Sequence, residues 1–175
     1  HAGTRDPRAT GVLVCCLGDA TRRSERVMKG VKVYEAAVDL SAFTTTDDRE
    51  GERTEVAVDE RDRPTRAAIE AAAAGFVGSI AQVPPAYSAA HVDGKRAYAM
   101  ARRGEDVKLE ARTVRIDAIE LGRYEWPIAE LAVTCGKGVY IRSLARDLGE
   151  TLGTGGHLAA LRRTRVGPFE VEAAR

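Results

Sequence analysis

The first thirteen residues, HAGTRDPRATGVL, place a single carboxylate, Asp6, among Gly3, Thr4, Arg5 and Pro7, just ahead of an apolar run. A lone acid in such a frame has two uses. It can shape a turn, as Asp beside Pro often does, or it can stand as a fixed negative charge or nucleophile facing an electron-deficient carbon. Further along, Tyr34 sits in KVYEAAVDL, and Tyr140 and Arg142 stand two apart in KGVYIRSL. If a strand runs through that pair, both side chains face the same way and put an aromatic and a cation in one pocket. Tyr34 on a strand can equally set its ring in a core with its hydroxyl at the edge. Leu161, in HLAALRR, has the helical spacing of a plain core leucine.

The elements that must position these residues alternate between strand and helix. GVLVCCLG reads as a buried strand and ATRRSERVMKG as a helix capped by Asp19 or Thr21 and ended at Gly30. VKVYEAAVDL alternates like a half-buried strand, and RPTRAAIEAAAAGF reads as an Ala-rich helix with Pro64 near its start and Gly75 near its end. PPAYSAAHVDGKRAYAMARRG gives a Pro-rich loop, a short strand, a turn at Asp93-Gly94 and a helix ending at Gly104. TVRIDAIELGRY and IAELAVTCGKGVY are long strands, and YIRSLARDLGETLG repeats Ile141, Leu144, Ala145, Leu148 and Leu152 at helical spacing until the Gly153 to Gly156 region breaks it. The expected fold class is α+β: one domain over residues 1–175, built on a mixed, largely antiparallel sheet flanked by helices.

Composition narrows the classes of function. The chain has 175 residues, 44% hydrophobic and 30% charged, with no apolar run long enough to span a membrane, and neither membrane insertion nor a signal peptide is expected. Its three cysteines, two of them adjacent at Cys15 and Cys16, fit a reduced, cytoplasmic setting. His1, His91, His157 and Cys135 stand at no metal-binding spacing, so no metal is expected. A net charge of +1 hides a segregation. Residues 1–32 carry seven Lys/Arg against three acids, whereas residues 47–70 carry nine acids against five arginines. Such a split lets one face attract phosphates while the whole molecule stays near neutral, although solvated surface has the same look.

Four ordered blocks lift the sequence above a generic domain: HAGTRDPRATGVLV, KVYEAAVDLSAFTTTDDREGE, QVPPAYSAAHVDGKRAYAMARRGEDVKLEARTVRI and VTCGKGVYIRSLARDLGETLGTGGHLAALRRTRVGPF. Together they resemble, in order and spacing, the TruB family of transfer-RNA pseudouridine synthases, which isomerise the uridine at position 55 of the TΨC loop. The resemblance implies the pseudouridine synthase fold, a tRNA substrate and a monomer. The reaction breaks the N1–C1′ glycosidic bond, turns the uracil and rejoins it through C5, with no atom gained or lost, so it calls for neither redox cofactor nor metal. The electron-deficient C1′ must be met by a negative group or covalent nucleophile, the role the resemblance gives to Asp6.

It further implies that Tyr34 stacks on the flipped base and can take the C5 proton. Arg142 would pair with the catalytic aspartate, Tyr140 would pack in the active site, and Leu161 would form its apolar floor. His1 would help to open the RNA loop. Lys95, Arg96, Arg102, Arg103, Lys137, Arg162, Arg163 and Arg165 are candidates for phosphate contacts, Arg96 and Lys137 foremost, although each alone reads equally as solvated surface. The chain departs from the family pattern at Arg5, where Leu is usual, and at Arg8, usually apolar. It is read as N-terminally incomplete, opening on His1 and lacking the family's DKP-type segment, and as lacking a C-terminal RNA-binding domain. Those departures favour a second reading, a non-catalytic RNA-binding module or tRNA-folding chaperone. A third is a small domain binding an acidic protein.

Overall fold

The computed structural model describes residues 1–2, 6, 9–88, 91–92, 95–97, 100, 103 and 109–173, with the backbone alone for 91–92 and 95–96. Arg5, Arg8, Arg102 and the Asp93-Gly94 turn lie outside the described residues, as does most of the helix expected to end at Gly104. In chain order the elements are β1 (Thr10–Gly11), α1 (Ser24–Lys29), β2 (Lys32–Asp39), β3 (Ala42–Thr44), β4 (Arg53–Glu55), α2 (Arg66–Ala74), β5 (Gly78–Gln82), β6 (His91–Val92), β7 (Lys95–Arg96), β8 (Arg112–Glu125), β9 (Ile128–Cys135), α3 (Ile141–Leu152), β10 (His157–Val166) and β11 (Phe169–Glu170). Among the described residues no helix is long and apolar enough to cross a membrane.

Seven strands form one sheet in the order β1-β10-β2-β9-β8-β5, with β11 also on β10, and every pairing except β1 with β10 is antiparallel. This is the α+β class with a largely antiparallel sheet that the strand and helix pattern predicts. Helices α2 and α3 cover one face, where Ala36, Val38, Ile116, Leu131 and Val133 from the strands meet Ile69, Leu144, Ala145 and Leu148 from the helices. The strand alternation read from VKVYEAAVDL and IAELAVTC places these residues on the covered side.

Local chemistry explains most boundaries. Thr65 caps α2 by accepting a hydrogen bond from Ala68 N at 3.2 Å, and Gly75 follows its last residue. Gly153 closes α3 in the left-handed conformation (φ 68°), which glycine adopts without a Cβ penalty. ATRRSERVMKG begins as a 3-10 turn over Gly18–Arg23 before α1, and neither Asp19 nor Thr21 caps it: Leu17 occupies the cap, and the Thr21 hydroxyl donates back to Gly18 O.

Two expectations need correction. The apolar run GVLVCCLG contributes only Gly11 to a strand, and Leu17 within it is 83% exposed. Beyond Arg162 and Arg163, the edge of β10 is taken by β11 at Arg165 and Val166, so a longer parallel β1 has no edge left to pair with. Leu161 lies on strand β10, not at a helical position; the glycines before His157 stop α3, and the residues after it pair with β2 from end to end.

Candidate active site

Helix α3 begins at the mouth of the sheet, and a buried glutamine fixes its start. Gln82, at the end of β5, accepts from Tyr140 N through Oε1 (2.9 Å) and donates from Nε2 to Tyr140 O (3.1 Å). Tyr140 is therefore the residue before the helix, with extended backbone (φ −103°, ψ 112°), and Arg142 is in its first turn. The strand alternation anticipated for this pair does not extend so far, because β9 ends at Cys135. The two residues come together through the turn into α3.

Arg142 is the hub of the site. Its Nε lies 2.9 Å from Asp6 Oδ2, its Nη1 donates to Asp48 Oδ2 at 3.2 Å and Thr46 O at 3.1 Å, and its Nη2 donates to Tyr87 O at 2.9 Å. The three charged side chains are 11–14% exposed, so this is a partly buried chain of carboxylate, guanidinium and carboxylate. A planar fork with fixed donors suits such bridging; a point-charge ammonium does not. Asp6 precedes β1 in a loop, its carbonyl accepting from Ala9 N at 3.0 Å. Asp48 is held by its own loop: its Oδ1 accepts from Thr46 Oγ1 (2.6 Å) and Glu50 N (3.0 Å), and its backbone bridges to Leu158 of β10.

Register places the aromatic and apolar candidates beside one another. Tyr34 pairs with Arg163 and Ala36 with Leu161, so Tyr34 and Leu161 occupy neighbouring positions on the covered face, and both pack against the core. Burial pushes the Tyr34 phenol above its ordinary value, with a hydrogen bond to Arg163 opposing the shift. Arg163 is 3% exposed and donates from Nε to Val12 O at 2.9 Å, which removes it from the phosphate candidates. Lys137 is exposed in the turn before α3, and His1 is exposed at the chain end. Arg96 pairs with His91 in a small hairpin, and only its backbone is described.

A cleft of about 690 Å³ follows the opposite face, lined by the exposed Glu35, Glu130, Ala132, Ala160 and Arg162, with Asp6, Asp48 and Leu161 also contributing. Tyr34, Tyr140 and Arg142 are not part of its lining. The ion chain at the start of α3 meets this cleft through Asp6 and Asp48. Among the described residues no group of three or more His, Cys, Asp or Glu side chains is arranged to hold a metal ion.

Comparisons with known proteins identify the family. Residues 1–141 match the family model described as TruB family pseudouridylate synthase (N terminal domain), and residues 142–175 match the tRNA pseudouridylate synthase B C-terminal domain. The chain belongs to the TruB family. It is 49% identical over 172 residues to the tRNA pseudouridine synthase B of Phocaeicola vulgatus, covering 98% of this chain and 72% of that protein. It is 51% identical over 173 residues to the enzyme of the same name from Cereibacter sphaeroides, of which it spans 56%. A chain in a crystal structure of a Cbf5-Nop10-Gar1 complex superposes with a TM-score of 0.68 at 31% identity, over 97% of this chain and 40% of that one.

In this TruB chain the family resemblance groups Asp6, Tyr34, Tyr140, Arg142 and Leu161 and leaves out Asp48, Gln82 and Arg146. Asp48 sat in view inside TTTDDREGE, between β3 and β4. The signal that could have found it is a carboxylate in a Thr-rich turn within one of the four family blocks. Gln82 offered only one polar residue at the end of a short strand, just before Val83-Pro84-Pro85.

Proposed function

We propose that this chain is the catalytic unit of a tRNA pseudouridine synthase that isomerises uridine 55 in the TΨC loop, working as a monomer in the cytoplasm. The observation that carries the reading is the fork of Arg142 between Asp6 and Asp48, two acids that line one cleft with Leu161. In this mechanism the target uridine leaves its stack and is held against Tyr34 and Leu161, where ring and aliphatic surface replace the lost stacking. Asp6 meets C1′ as the N1–C1′ bond breaks, as nucleophile or as a fixed counter-charge, while Arg142 keeps its carboxylate aimed. The uracil turns, C5 bonds to C1′, and the C5 proton is lost as N1 regains one. Burial raises the Tyr34 phenol, which opposes its deprotonation, so the ring supports stacking better than proton abstraction. The 26% identical neighbour whose structure is of an H/ACA RNP bound to a substrate RNA supports an RNA substrate for the same fold.

The test is incubation with unmodified TΨC stem-loop RNA carrying tritium at uridine C5. Release of tritium into water is expected, and none from an RNA in which the target uridine alone is replaced by cytidine. RNA binding without release supports the chaperone reading instead.

A further inference from the structure

One turn beyond Arg142, helix α3 carries a second arginine that repeats the reach of the first. Arg146 Nη1 donates to Asp47 Oδ2 at 2.8 Å, and its Nη2 donates to Val83 O at 3.0 Å. Arg142 in the same way joins Asp48 to Tyr87 O. Two arginines at i and i+4 thus tie the same two loops, residues 44–52 and 83–88, to one face of α3. Ser143, between them, adds a hydroxyl bond to Val83 O at 2.8 Å.

The acid in the second pair has an unusual backbone. Asp47 is the non-glycine residue with positive φ (58°) among those described, a conformation that Asp tolerates but that is not free. Its N–H donates to Thr44 O (3.2 Å), and its carbonyl accepts from Leu158 N (3.0 Å). This left-handed kink lets two successive acids, Asp47 and Asp48, both reach α3, where an extended chain would send them to opposite sides. Burial pushes the Asp47 carboxyl up, and the arginines Arg146 and Arg142 oppose that shift, so the site depends on its cations.

We infer that Asp47 and Arg146 are positioning residues for the reaction. Their ion pair holds the 44–52 loop in the one arrangement that presents Asp48 to Arg142, and through Arg142 it fixes the aim of Asp6. The inference rests on the pseudouridine synthase reading of the site, and neither residue touches the reacting atoms. Arg146 also contacts Asp147 Oδ1 on its own helix, at 3.0 and 2.8 Å, so removing Arg146 deprives two partly buried acids, Asp47 and Asp147, of its charge.

The experiment uses Arg146→Ala, Arg146→Lys and Asp47→Gly in the whole chain. The last keeps the left-handed backbone without a Cβ clash and removes the pair. Single-turnover tritium release at saturating protein should fall about ten- to a hundredfold in Arg146→Ala and Asp47→Gly, the scale of a small misplacement of a catalytic group. The Kd for the stem-loop should stay within about twofold, since these groups sit behind the site and do not meet phosphates. Arg146→Lys should recover most of the rate. Amide exchange at Leu158 should accelerate in both weakened variants. A parental rate in either of them, or a rate loss matched by an equal loss of affinity, overturns the inference. If the parent itself releases no tritium, the functional reading fails separately, and the exchange arm decides alone: faster exchange at Leu158 supports the positional role, and unchanged exchange rejects it.

Discussion

At the scale of single residues, the proposed chemistry depends on charge placed by geometry. Arg142→Lys preserves a cation but cannot span Asp6 and Asp48 with a planar fork, so single-turnover rate at saturation should drop about a hundredfold with little change in RNA affinity. Tyr34→Phe retains the ring and loses the hydroxyl. If the ring serves by stacking, this variant keeps the rate of uracil isomerisation within about tenfold, whereas Tyr34→Ala loses stacking worth roughly 1–3 kcal/mol. A Phe variant as inactive as the Ala variant would return the proton-abstracting role to the hydroxyl. The cysteines separate by environment in the same way. Burial pushes the Cys135 thiol up to about 12, and Cys15 is exposed. Iodoacetamide at pH 8 should therefore modify Cys15 in the folded protein and leave Cys135 intact, as peptide mass mapping would show.

At the scale of elements, α3 does most of the positioning, and its seat is built from backbone contact. A Cβ on Gly149 would lie 2.3 Å from Gly155 O, so helix and returning chain meet with no room for a methyl group. Gly149→Ala should destabilise the fold by roughly 1–3 kcal/mol, lowering the thermal midpoint measured by circular dichroism; an unchanged midpoint would show that the contact can open without cost. This helix was legible in advance because Ile141, Leu144, Ala145 and Leu148 repeat at its period, and β2, β8 and β9 were legible because they alternate. What periodicity does not encode is who meets whom. Arg142 finds Asp48 across 94 residues and Arg146 finds Asp47 across 99, and no local pattern in YIRSLARDLG announces either partner. The length of β1 was hidden for the same reason, since it depends on β11 claiming the next stretch of β10. The Asp6–Arg142 pair came instead through family resemblance, which carries long-range contacts that residue spacing cannot.

At the scale of the whole molecule, the segregated charge has a structural expression. The acidic stretch largely consumes its own arginines: Arg53 pairs with Asp39 and Glu55, Arg63 with Glu60, and Arg66 with Glu70. In the basic stretch Arg22, Arg23 and Arg26 are exposed on the 3-10 turn and α1. Stem-loop affinity should accordingly fall steeply with salt, with a log–log slope reduced by roughly 1 for each of these arginines changed to Ala that meets a phosphate. A flat salt dependence would assign RNA binding to another face. The central claim, that the Asp6 carboxylate held by Arg142 acts at C1′, is tested most directly by Asp6→Asn, which keeps the side chain's size and removes its charge. Single-turnover tritium release from the C5-labelled stem-loop at saturating protein should become undetectable while RNA binding stays at the parental level. Release within about tenfold of the parent, roughly 1.4 kcal/mol of barrier, would contradict the claim.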